Sequence, residues 1–190
     1  MSFPLGSRPF PRSRGLALSI TFAALISVSS PISIPIGPVP ITLQVFIVYL
    51  ALALLGPRWG GLSMVIYLFL GLAGLPVFAG LTGGEGVVFG STGGYLLGFL
   101  VACLLGGLVT MRRASTKTGD TVRVAAGCLV GIAIIYALGV LWLSEFIGLN
   151  SAIVYGLVPF IPIDLLKAVV AVPLAVSLRW STLQLPTNMQ

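Results

Sequence analysis

Six long apolar runs, separated by short segments that hold nearly all of the charge, constrain this chain more than any other feature. They lie at about residues 16–30, 41–55, 61–79, 93–111, 124–143 and 162–179. A helical membrane span needs about 20 mostly apolar residues. Six spans therefore use roughly 120 residues, which leaves short loops and no room for a soluble domain. Only 7% of the residues are charged, against roughly a quarter in a soluble domain. The expected fold is an all-α integral membrane protein with six transmembrane helices, one membrane domain over residues 1–190. Within it, 1–15 form a basic cytoplasmic segment, 16–180 the bundle and 181–190 a short cytoplasmic tail. The basic start followed by an apolar run mimics a signal peptide; the five runs behind it mark it as a retained first helix.

The composition also excludes chemistry. There is no histidine, so the commonest metal ligand and general base are missing, and neither a metal site nor a cofactor is expected. Cys103 and Cys128 each sit inside an apolar run, without CxxC spacing, and read as small packing residues. Gly127-x3-Gly131 reads as close helix packing. In the first run Ala23-x3-Ser27 is another small-xxx-small pattern. It admits two readings, internal packing or a docking face for another membrane subunit.

Lys and Arg favour cytoplasmic loops. With six spans, nine of the ten basic residues fall on one side: Arg8, Arg12, Arg14, Arg58, Arg112, Arg113, Lys117, Arg123 and Arg179. Glu85, Glu145 and Asp164 fall on or near the other. Both termini are thus expected in the cytoplasm. The net charge of +6 is then a topology signal, with some attraction to the anionic lipid of the bilayer, and no nucleic-acid partner is expected.

This topology sends three irregular segments to the outer face. Residues 31–40, PISIPIGPVP, hold four prolines; lacking the N–H and disfavouring helix in the preceding residue, they predict a stiff apolar loop. Residues 74–99, GLPVFAGLTGGEGVVFGSTGGYLLGF, hold nine of the 24 glycines. Glycine permits sharp turns and close approach, and irregular backbone at membrane depth survives where protein covers it or where it lines a cavity. The stretch is either a binding loop wedged between helices or a long extramembrane loop. The sixth run is interrupted by Pro159 and Pro162 before a helix that can run to Arg179, kinked at Pro173. Together these predict an outward-facing pocket.

Asp164 and Lys167 lie inside the sixth run, three residues apart and so on one helix face. Charges within a span cost about 2.5–3.5 kcal/mol each and signal function by default. Asp164 is 15 residues before Arg179, roughly 22 Å along the axis, in the outer third of the membrane. The pair is either a structural couple or a ligand site, in which Lys167, the single cation on the outer half, suits an anionic group.

The segments ISIPIGPVPITLQ (32–44), GPRWGGLSMVIYL (56–68), GLPVFAG (74–80), GSTGGYLLGF (90–99) and IPIDLLK (161–167) together resemble the BioY family, the biotin-specific substrate-binding (S) component of energy-coupling factor (ECF) transporters. The match runs in order over nearly the whole chain. Three departures affect loop shape: Ser91 stands where proline is expected in GPTGGYL, Leu81-Thr82 interrupts a run of small residues, and Ile163 replaces a common glycine.

The resemblance implies high-affinity biotin capture and uptake across the prokaryotic plasma membrane. ATP would be hydrolysed by the cytoplasmic ABC ATPase subunits that act with a membrane-embedded T component. The chain has no GxxxxGK[ST] phosphate loop, consistent with a transport subunit that is not an enzyme. Biotin offers a ureido ring, an apolar sulfur ring and a carboxylate. Gln44, Tyr95, Asp164 and Lys167 supply polar groups for it, and Phe78, Val77 and the loop isoleucines an apolar lining, with Gly84 in the binding loop. Ala23 and Ser27 would dock the partner. The alternatives are an S component for thiamine or riboflavin, a self-sufficient secondary carrier, or an intramembrane enzyme using Ser91 or the Gly119-Asp120 pair. Against the last stand the missing histidine base and the position of Asp120 in a basic segment.

Overall fold

The computed structural model describes residues 11–181. Arg8, the rest of the first ten residues and the tail from residue 182 lie outside the described residues. Eight helices are present among the described residues: α1 (Arg12–Ser29), α2 (Gln44–Leu54), α3 (Gly56–Leu72), α4 (Glu85–Val88), α5 (Gly93–Thr110), α6 (Lys117–Ile147), α7 (Leu149–Gly156) and α8 (Ile161–Ser181).

Three of them, α5, α6 and α8, are long and apolar enough to cross a membrane by length and composition. The other expected spans are shorter or more polar. α1 begins with Arg12 and Arg14. α2 has 11 residues, about 17 Å of helix. α3 has 17 and ends at Leu72, well before residue 79, because Gly74 (φ +92°) turns the chain back.

The proline-rich stretch corrects the all-α expectation. It is not helical, yet it is not an irregular loop. β1 (Ser33–Pro35) and β2 (Pro40–Thr42) pair antiparallel, with Ser33 opposite Thr42, Ile34 opposite Ile41 and Pro35 opposite Pro40. The two prolines face each other at the turn end, where missing N–H groups leave the ladder intact, and Gly37 makes the turn at φ +100°.

α6 corrects a second boundary. The hydrophilic segment 112–123 is helical from Lys117, and the Thr116 hydroxyl caps the helix by accepting the Gly119 N–H at 3.1 Å. α5 and α6 form the most extensive helix pair. A Cβ at Gly94 would lie 2.3 Å from Trp142 Cβ, and one at Gly98 would lie 2.9 Å from Ile135 Cα. Their lack of side chains sets the distance between the helices. Gly127 and Gly131 face Gly106, Ala102 and Leu52, so that pattern is packing, as expected.

A buried polar joint closes the bundle at the end away from the hairpin. Arg179 Nε lies 3.2 Å from Asp120 Oδ2. Its Nη1 donates to the Ala53 carbonyl (3.1 Å) and its Nη2 to the Thr110 carbonyl (2.9 Å). Trp180 Nε1 also donates to Asp120 Oδ2, at 3.2 Å. Four helices, α2, α5, α6 and α8, therefore meet on one ion pair. Asp120 is fully buried. The sequence places it in a basic segment between two runs; the structure puts it in the first turn of α6, paired with Arg179 of α8.

Candidate functional site

At the opposite end, the hairpin, the glycine-rich stretch, α5, α6 and the start of α8 enclose a cavity of about 300 Å³. That is the lower end of the range for small-molecule sites. Its walls are mostly apolar, with Val39, Phe78, Leu96, Phe99, Ile135 and Phe160 among them. Phe78 is held by an edge-to-face contact with Tyr67, centroids 5.4 Å apart. Gly71 lets it seat, because a Cβ there would fall 2.0 Å from the Phe78 ring.

The glycine stretch is not a free loop. A single 3-10 turn, Ala79–Leu81, precedes α4, and the Phe78 N–H donates to the Thr82 carbonyl at 2.9 Å. Leu81 lies in the left-handed region (φ +58°), which glycine adopts without strain and a residue with a Cβ does not. The sequence departure at Leu81-Thr82 thus falls on a strained backbone position. Trp142 Nε1 donates to the Gly90 carbonyl at 2.9 Å and ties the second half of the stretch to α6. Ser91 lines the cavity, its hydroxyl 3.5 Å from the Pro38 carbonyl of the hairpin.

Polar groups converge on one part of the wall. Lys167 Nζ donates to Asp164 Oδ1 at 2.6 Å and to the Thr42 carbonyl at 2.6 Å. The Tyr136 hydroxyl donates to Asp164 Oδ2 at 2.6 Å. The Thr42 hydroxyl donates to Gln44 Oε1 at 2.9 Å, and the Gln44 amide donates to the Tyr67 hydroxyl. Each Asp164 oxygen keeps a further lone pair, Lys167 a third proton and the Tyr136 oxygen its acceptor capacity. The pair on α8 is thus tied to β2 and α6, and Asp164, Lys167 and Tyr136 all line the cavity. The Tyr95 hydroxyl, in contrast, is committed to the Gly156 carbonyl at 2.9 Å. Its ring packs edge-on to Tyr136, centroids 6.3 Å apart.

Of the residues singled out in the sequence, Gln44, Phe78, Tyr95, Asp164 and Lys167 all line this cavity. Gly84 does not line it. Its φ of +90° starts α4, and its N–H donates to the Gly71 carbonyl at 2.7 Å, so it shapes the loop behind the wall. Val77 and the loop isoleucines also stay outside the lining, and Val39 and Pro40 take that place.

Ala23 and Ser27 do not form an open docking face. Ala23 is 1% exposed within the chain's own core, and the half-buried Ser27 donates to the Ala23 carbonyl at 2.9 Å. The small residues of α1 let it approach its neighbours instead.

Sequence reading missed Tyr136 and Thr42. Tyr136 left a signal, a phenol within an apolar run, which needs a partner when buried. Thr42 acts largely through its main-chain carbonyl, which no side chain announces.

A family model described as the BioY family matches residues 6–184. This chain belongs to the BioY family. Among its BioY relatives, the probable biotin transporter BioY of Pyrococcus horikoshii is 43% identical over 171 residues, covering 90% of this chain and 99% of the relative. The biotin transporter BioY of Thermotoga maritima is 46% identical over 159 residues, covering 83% and 91%. The crystal structure of the S-component for biotin from an ECF-type ABC transporter superposes with a TM-score of 0.75 at 33% identity, covering 88% of this chain and 92% of that one. The fold is that of an ECF S-component, and the apolar helices mark a membrane protein.

Proposed function

We propose that this chain captures biotin with high affinity and carries its recognition step as the substrate-binding subunit of an ECF-type ABC transporter. The observation that carries this is the Tyr136–Asp164–Lys167 chain of hydrogen bonds in the wall of an otherwise apolar cavity. Biotin is mostly apolar with two compact polar ends. Its ureido group offers two N–H donors and one carbonyl acceptor, and its tail a carboxylate. Asp164 and the Tyr136 oxygen suit donors, and Lys167 suits a carbonyl or a carboxylate. The names of the relatives point the same way.

In this reading α1, α2, α3, α5, α6 and α8 all cross the plasma membrane and both termini are cytoplasmic. The cavity then opens outward, because the cations Arg58, Arg112, Lys117 and Arg123 lie at the other end of the bundle. Transport is energised by a T component and cytoplasmic ATPases, and this subunit hydrolyses no ATP itself. Equilibrium binding to the purified chain with biotin, thiamine and riboflavin tests the assignment. Saturable binding of biotin alone supports it; binding of another vitamin in preference to biotin rejects it.

A further inference from the structure

The end of the bundle opposite the cavity carries cations that the protein does not neutralise. Where α5 ends and α6 begins, Arg112, Arg113, Lys117 and Arg123 surround a single acid, Asp120. Asp120 is fully buried and already committed. It pairs with Arg179, accepts from Trp180 and lies 3.5 Å from the Ala114 N–H. None of the four cations forms an ion pair among the described residues. Arg112, Lys117 and Arg123 are exposed.

They are also held close together. Arg123 Nη1 donates to the Arg112 carbonyl at 3.3 Å, so the two residues share one small area. The Arg113 guanidinium stands 6.0 Å from the centre of the Trp180 ring. The turn of α3 that packs on the end of α5 through Gly107 brings a second pair, Arg58 stacked 4.7 Å over Trp59. Like charges gathered this way repel unless an anion sits among them. Arg forks match phosphate geometry, and tryptophan settles at the headgroup level of a bilayer. Arg112 lies two residues past Thr110, the last residue of α5, a helix long and apolar enough to cross a membrane, so the cluster would sit where such a span meets the headgroups.

We infer that the Arg112–Arg113–Arg123 cluster, with Arg58 beside it, is a binding surface for the headgroup of an anionic phospholipid. A soluble anion would share the phosphate chemistry, but the position at the end of a helix of membrane-crossing length favours the lipid.

The test uses the full chain in nanodiscs of phosphatidylcholine mixed with phosphatidylglycerol. Lipid retained on gentle extraction is counted by native mass spectrometry. The parent should keep phosphatidylglycerol over phosphatidylcholine, and Arg112→Gln should lower that preference about fivefold, the weight of one charge near a membrane surface. Arg112→Gln with Arg123→Gln should nearly abolish it. Arg112→Gln alone guards against misfolding of the double variant, and retained biotin binding reports an intact bundle. Equal retention of the two lipids by the parent, or a preference unmoved in both variants, would overturn the inference. So would loss of the preference in millimolar inorganic phosphate, which would mark a free-phosphate site. Loss of partner-subunit assembly with lipid preference intact would give the face to an acidic protein and reject the lipid.

Discussion

The Tyr136 hydroxyl donates to Oδ2 of Asp164 at 2.6 Å, from the middle of α6 to the first turn of α8. With Lys167 on Oδ1, this leaves a buried carboxylate satisfied on both oxygens before any ligand arrives. A ligand meeting a pair preorganised in this way would not have to assemble it first.

Tyr136→Phe removes that donor and nothing else of size. A buried acceptor left short of a partner costs about 1–3 kcal/mol. Thermal unfolding of the detergent-solubilised protein should register a loss of this order, and biotin affinity should fall with it because Asp164 loses its fixed orientation. An unchanged midpoint and unchanged affinity would show that the hydroxyl contributes to neither.

Asp120 and Arg179 form the contrasting pair. Arg179→Gln breaks a buried ion pair and two carbonyl contacts, and breaking such a pair typically costs about 3–5 kcal/mol. The protein that still folds should bind biotin as the parent does, since the joint lies at the far end of α8. Reduced affinity in a folded Arg179→Gln protein would show that the two ends are coupled.

The glycines of residues 74–99 are read in the sequence as part of a possible binding loop, and the structure divides them. Within the glycine-rich stretch Gly86 and Gly90 line the cavity, whereas Gly94 and Gly98 in α5 set the α5–α6 distance. Gly98→Leu should therefore destabilise by about 1–3 kcal/mol or more through overpacking, read as a lower unfolding midpoint. A neutral effect would mean that the helices can separate without cost.

Charge asymmetry fixes a labelling test of sidedness. Cysteine placed at Ser33, in the hairpin, should react with an impermeant reagent added to intact cells, and cysteine at Ser115, beyond α5, should not. Cys103 and Cys128 are buried and leave the background low. Equal labelling at both positions would sink the outward-facing cavity.

How much was legible beforehand follows from the physics of each part. Asp164 and Lys167 stood out because a charge inside an apolar run is costly, and both line the cavity. The hairpin did not stand out. Four prolines in ten residues exclude a helix, but the pairing of β1 with β2 depends on the turn at Gly37 and on a three-residue register, too short to leave an alternating pattern. The Ala23–Ser27 pattern was visible, yet small residues look the same whether they meet the chain's own helices or another subunit's, and Ala23 meets its own. Asp120 was misplaced because its partner lies about sixty residues away, beyond any local pattern.

The central claim is that the Asp164–Lys167 pair binds ligand as well as holding the fold. Removing one member strands the other charge, so single variants confound stability with binding. Asp164→Asn combined with Lys167→Met removes both charges at once. Isothermal titration of biotin into that folded double variant is the direct measurement. An affinity weaker by at least about tenfold, or 1.4 kcal/mol, is the predicted result; biotin binding near that of the parent would contradict the claim and leave the pair a structural one.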